Sequence, residues 1–190
     1  MKPPQPKKIK KIHTAHGDKR VDNYYWLRDD TRKNPEVISY LESENKYLES
    51  WFESKSDCRK EIYDELVSFI PPHEVSMKVK HGDYLYFSEI SSDQQYKTYF
   101  REIDEKKELV LDVNKEAKDL DYFNVASIIP SLNNHYIAYA EDLSGRREYN
   151  IKIKNLKTGQ IIDESINRSS GSVVWNKNND TIYYALKDPV

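Results

Sequence analysis

Apolar residues recur in two different periods along this chain, and the change between them comes at about Val75. Before it the period is helical. Val37, Tyr40, Leu41, Tyr47, Leu48, Trp51 and Phe52 make a broad stripe, with Glu36, Glu42, Glu49 and Glu53 largely off it. Asn34 is a good cap and Pro35 is pre-organised for a first turn, which predicts a helix starting there. Lys55-Ser56-Asp57 breaks the pattern. A second helix is predicted over about Cys58 to Phe69, with Ile62, Leu66 and Phe69 on one face and Pro71-Pro72 as its stop. Stripes this aromatic are more than two helices bury against each other, so another surface is expected to cover them.

From Val75 the apolar positions alternate. Val75 to Val79, Tyr84 to Ile90, Lys97 to Ile103 and Leu109 to Val113 predict strands, with turn signals at His81-Gly82-Asp83 and Ser91 to Gln94. The stretch His135 to Asp163 predicts three more: Tyr136 to Ala140, Tyr149 to Ile153 and a short Gln160 to Ile162. Their turns are Asp142-Leu-Ser-Gly145 and Asn155 to Gly159. The two stretches are copies. Tyr84-Leu-Tyr-Phe87 matches Tyr136-Ile-Ala-Tyr139, and Leu109 falls 52 residues before Ile161. Thr181-Ile-Tyr-Tyr-Ala185 repeats Tyr136 to Ala140 at a 45-residue offset, with Ser170-Gly-Ser172 as the turn between repeats.

Repeats of this length, each with about four short strands, are blade-sized units of a β-propeller. The predicted fold class is mainly β with an N-terminal helical extension. Residues 1–12 form a basic, proline-containing tail and 13–72 the extension with its two helices. Residues 73–190 hold blades at about 75–121 and 122–165, then the start of a third at 166–190. A closed propeller needs at least about four blades. The expectation is therefore an incomplete propeller: a piece of a longer protein, a truncated gene product, or a fragment that associates with the remainder.

Composition narrows the function classes. A net charge of -2, with 33 % charged residues, gives no support to a nucleic-acid partner. Lys7, Lys8, Lys10 and Lys11 read as a short solvated tail. No run approaches the length of a membrane span, and Pro3, Pro4 and Pro6 stand where a signal peptide needs an apolar core. The single cysteine, Cys58, excludes an internal disulfide, and a cytoplasmic location is expected. His13 and His16 have no carboxylate or cysteine at ligand spacing, so no metal or other cofactor is expected.

The segment Asp22-Asn-Tyr-Tyr-Trp-Leu-Arg-Asp-Asp30 reads as an extended anchor that buries Trp26 and Leu27, with Arg28 paired to a carboxylate at its edge. Asp29 and Asp30 do not make a catalytic pair, because neighbouring side chains in an extended segment point apart.

That segment, followed by Asn34-Pro-Glu-Val37, Tyr40-Leu41 and Glu44-Asn45, resembles the N-terminal signature of the prolyl oligopeptidase family of serine peptidases. Glu141-Asp-Leu-Ser-Gly-Arg-Arg-Glu-Tyr149 and Lys154-Asn-Leu-Lys-Thr-Gly159 are more like its oligopeptidase B (protease II) branch. The resemblance covers about residues 13 to 188. It implies a seven-bladed propeller acting as a size filter over an α/β-hydrolase domain, onto which the N-terminal extension packs. It also implies cleavage of short peptides after arginine or lysine. Such enzymes carry serine on a G-x-S-x-G elbow, with aspartate and histidine downstream. No such motif occurs in these 190 residues, so no catalytic residue is assigned and the chain alone is expected to be inactive. Trp26, Leu27, Arg28, Asp29, Trp51, Arg146 and Arg147 are the structural or interdomain candidates. The expected partner is the hydrolase region. The alternative is a stand-alone blade module that binds protein without catalysis.

Overall fold

The computed structural model describes residues 2–188, leaving aside the side chain of Ser165. Met1, Pro189 and Val190, at the outer ends of the predicted tail and third-blade segment, lie outside the described residues. The chain forms two compact units, Met1–Ile70 and Pro71–Val190.

The first unit opens with a hairpin that was not among the predicted elements. Strands β1 (Lys11–Ala15) and β2 (Asp18–Asp22) pair antiparallel around His16-Gly17. Both turn residues have positive φ, 52° and 85°, as a two-residue hairpin turn requires. The tail is not simply solvated. Ile9 N–H donates to Asn23 O at 2.9 Å, Lys7 pairs with Glu36, and the Trp26 indole N–H donates to Lys7 O at 2.8 Å. The predicted extended anchor is bent instead, because Tyr25–Leu27 closes a 3-10 turn.

Helix α1 spans Pro35–Glu53, and the Asn34 side chain accepts from Glu36 N–H at 3.0 Å, as a cap should. Helix α2 follows at Ser56–Ser68. Only Val37 of α1, and no residue of α2, is buried.

The second unit contains two antiparallel sheets. In the first, β3 (His73–Val75) and β4 (Val79–His81) share one edge of β5 (Tyr84–Ser91), and β6 (Thr98–Ile103) and β7 (Lys106–Asp112) follow outward. The predicted single strand Val75 to Val79 is therefore broken. At the break Ser76 N–H donates to Ser88 O at 2.8 Å, while Ser88 N–H donates to the Ser76 hydroxyl at 2.9 Å. A side chain thus completes the ladder where the backbone leaves it. A short helix, α3 (Val113–Glu116), ends this sheet.

The second sheet runs β8 (Asn124–Pro130), β9 (Tyr136–Asp142), β10 (Tyr149–Asn155), β11 (Ile161–Trp175) and β12 (Ile182–Leu186). β11 corrects two expectations. Gln160 to Ile162 is the start of a fifteen-residue strand, and Ser170-Gly171-Ser172 lies inside that strand rather than forming a turn. Its first half pairs with β10 and its second with β12, while Ser169 has partners on both sides, Tyr149 and Leu186. The outer strand of one blade therefore runs directly into the first strand of the next. Gly171 permits the bend. Its φ is +89°, and a Cβ there would meet the Tyr149 ring at 2.8 Å.

Packing follows the same logic. β9 is buried on both faces, which its near-continuous apolar run anticipates. Ile137 and Tyr139 pack with Val110, Leu111, Val113 and Phe123 of the preceding blade and its link. Ala138 and Ala140 pack with Tyr149, Ile151 and Val173 on the other face. The repeat is visible in the backbone too. The turns that join the first two strands of each blade place Gly82, Asn134 and Asn179 at φ of +60°, +60° and +64°, spaced 52 and 45 residues apart. Glycine and asparagine are the residues that tolerate this conformation. The structure is an incomplete propeller with helices before it.

Candidate functional site

The candidates fall in both units. In the first, Trp26 is half-buried, its ring edge-on to Tyr40 at 5.9 Å, and Leu27 is half-buried at the end of the 3-10 turn. Arg28 is exposed, with Nε donating to Asp30 Oδ1 at 3.1 Å. Asp29 serves a different purpose. Its carboxylate accepts from Thr31 Oγ1 at 2.7 Å and from Asn34 N–H at 2.6 Å, fixing the entry to α1. These bonds, the Asn34 one foremost, hold its pKa below the ordinary value. Asp29 and Asp30 therefore share no task. Trp51 lies near the other end of α1, about 24 Å from its start at 1.5 Å per residue. It is 48 % exposed, with Lys55 Nζ 4.6 Å from its ring centroid.

Arg146 and Arg147 occupy the turn between β9 and β10, both exposed. The turn is organised by Asp142, which the sequence pattern presents only as a turn residue. Asp142 is buried, and its carboxylate accepts from the N–H groups of Ser144 (2.8 Å), Gly145 (3.0 Å) and Arg147 (2.7 Å). Burial alone would raise its pKa, but these bonds and the Ser144 hydroxyl outweigh it and hold the group low. Arg147 takes a φ of +57° to close the turn, and Lys187 reaches its carbonyl.

The seam between the first two blades holds polar residues that the pattern did not single out. Arg101 is buried. Its Nε donates to Glu108 at 2.7 Å and its Nη1 to Asn134 O at 2.5 Å, while Tyr86 hydroxyl donates to Asn134 Oδ1 at 2.9 Å. The signal available was a lone arginine inside the apolar run Thr98 to Ile103. Lys154 crosses the same seam and donates to Val110 O at 3.1 Å. Val110 sits at a register shift between β6 and β7, where an extra residue leaves the ladder incomplete. Burial lowers the pKa of Lys154.

Beside the break between β3 and β4, a cavity of about 360 Å³ lies between the two sheets. Val79, Tyr86 and Tyr99 line it from one side and Val125, Ile128 and Pro130 from the other. Among the described residues no group of three His, Cys, Asp or Glu side chains gathers as a metal site, and no helix is long and apolar enough to cross a membrane.

Successive antiparallel blades, joined through first and last strands and preceded by a helical extension, define the class as a β-propeller region of a larger architecture. Residues 3–190 match the prolyl oligopeptidase N-terminal β-propeller domain. The chain belongs to the prolyl oligopeptidase family of serine peptidases, with its likeness on the oligopeptidase B side. It is 35 % identical to Protease 2 of Moraxella lacunata over 99 % of this chain and 28 % of that protein. It is 31 % identical to Dipeptidyl aminopeptidase BI of Pseudoxanthomonas mexicana, over 96 % of the chain and 28 % of that relative. Among solved structures, oligopeptidase B from Leishmania major superposes with a TM-score of 0.90 at 27 % identity, covering 98 % of this chain and 29 % of that one. The chain thus spans between a quarter and a third of the length of these relatives.

Proposed function

We propose that these residues are the size-filtering and docking part of an oligopeptidase B-like serine peptidase that acts on short peptides after arginine or lysine. The observation that carries this reading is the joint one of fold and extent. The propeller is incomplete, the match runs from residue 3 to 190, and G-x-S-x-G is absent from the chain. The uncovered stripe of α1 and α2 packs on the hydrolase domain of the complete enzyme. Arg146 and Arg147 sit at the solvent edge of the blade or at an interdomain contact. The lone cysteine, exposed and unpaired, supports a cytoplasmic setting.

The chain alone is expected to leave Arg- and Lys-terminated chromogenic peptides uncleaved. Substituted for the equivalent segment of Protease 2 from Moraxella lacunata, it is expected to give a chimaera that cleaves those peptides and spares folded proteins. Cleavage by the isolated chain that a serine-directed inhibitor abolishes would sink this reading. A chimaera that releases only N-terminal dipeptides would replace the basic-residue endopeptidase with an aminopeptidase resembling the Pseudoxanthomonas mexicana protein.

A further inference from the structure

Residues 7–11 read Lys-Lys-Ile-Lys-Lys, the densest run of basic residues in the chain, and all five are exposed. Chain ends of this kind are where peptidases cut first, unless the backbone is tied down. Here it is tied at two consecutive peptide bonds. The Lys7 carbonyl, part of the Lys7–Lys8 bond, accepts from the Trp26 indole N–H at 2.8 Å. The Ile9 N–H, part of the Lys8–Ile9 bond, donates to Asn23 O at 2.9 Å. The Lys7 ammonium pairs with Glu36 and lies 5.1 Å from the centroid of the Trp26 ring. From Lys11 onward the tail is already strand β1 of the hairpin.

The stretch before that strand is therefore held by one indole, one carboxylate and one backbone bond. A peptidase takes its substrate as a free, extended segment whose backbone groups it engages itself. Lys7 O must leave Trp26, or Ile9 N–H must leave Asn23, before either bond can enter such a site. Local opening of so small a latch sets the rate of cutting. We propose that Lys7–Lys8 and Lys8–Ile9 form a guarded processing site for a peptidase that cuts after lysine, closed while Trp26 and Glu36 hold Lys7 and open when they release it. The cut adds water across the amide, leaving a carboxylate on the lysine and an amine on the residue after it. It also strips the Trp26 indole of its acceptor. That the peptidase is a second copy of the complete enzyme rests on the reading given above; the guarded bonds do not.

The test is a timed digestion of the full 190-residue chain with trypsin, following release of the residues before the cut by mass spectrometry. A synthetic peptide of residues 1–12 is the unguarded reference. The chain is expected to be cut at these two bonds at least about tenfold more slowly than the peptide. Trp26→Phe, which keeps an aromatic ring but has no N–H, is expected to speed cutting about five- to tenfold. Glu36→Gln, at an exposed position, is expected to speed it less. Equal rates for chain and peptide overturn the proposal, and so do unchanged rates in both variants. Protease 2 of Moraxella lacunata is expected to cut the Trp26→Phe chain at the same bonds. If trypsin cuts that chain there and Protease 2 cuts only the free peptide, the enzyme is not its own processor, and the chromogenic-peptide result on the chimaera is untouched.

Discussion

Ile137 and Tyr139 on β9 are fully shut away between two blades, whereas Leu41, Leu48 and Trp51 on α1, equally apolar, are about half exposed. The sheet unit obtains its burial from repetition. Each blade presents one apolar face to the blade before it and one to the blade after it, so two copies already make a core. The helical unit has no second copy. Its stripe is as apolar as a core but is met only in places within its own unit, by Trp26 at Tyr40 and Arg59 over Phe52, which is why one helix buries only Val37 and the other nothing. Apolar periodicity therefore states that a face will be covered; it does not state by what.

The largest expected effect separates the two regions directly. Ile137→Ala removes a fully buried side chain from the blade seam and is expected to destabilise the sheet unit by about 2–5 kcal/mol. Leu48→Ala, at a residue 52 % exposed in this chain, is expected to change stability by no more than about 0.5 kcal/mol. Urea unfolding of both variants measures the contrast, and similar losses would mean that the helical stripe is already covered.

How far the sequence carries this contrast depends on the element. The helix start at Asn34-Pro35 and the 52- and 45-residue offsets were legible because they rest on local chemistry, namely capping and turn conformation. Three features were not. The β1–β2 hairpin has polar strands, Lys11 to Ala15 and Asp18 to Asp22, and only the His16-Gly17 turn betrays it. The run Ser169 to Ser172 has turn composition yet stays in strand, because pairing to β10 and β12 overrides local preference. The break at Ser76 depends on Ser88 supplying the reciprocal bonds, which no local pattern encodes. The candidate residues followed the same rule. Asp29 showed only as part of the extended anchor and Asp142 as a turn residue, but which N–H groups they would hold is set by the fold.

Gly171→Ala sharpens the sheet side of the comparison. The new methyl would stand 2.8 Å from the Tyr149 ring at a φ of +89°, so both crowding and backbone strain oppose it. A loss of about 1–3 kcal/mol is expected, read as a lowered urea midpoint at unchanged slope. An unchanged midpoint would show that the passage from blade to blade does not depend on this bend.

Asn34→Ala should cost less than Ile137→Ala or Gly171→Ala, with only Leu48→Ala expected to do less, and it tests the helical unit where it is best satisfied. The Asn34 side chain accepts from Glu36 N–H at 3.0 Å, and its own N–H donates to Asp29 at 2.6 Å. The substitution removes the first bond and keeps the second, so Asp29 continues to fix the chain's entry into α1. Loss of one cap of this type costs about 1 kcal/mol of helix stability. In a unit held by few buried contacts that loss should appear as fraying of the first turn, measured by faster amide exchange at Glu36 and Val37, while exchange in β9 stays unchanged. Faster exchange in β9 as well, or protection retained at Glu36, would contradict the separation between a locally capped helix and a seam-packed sheet.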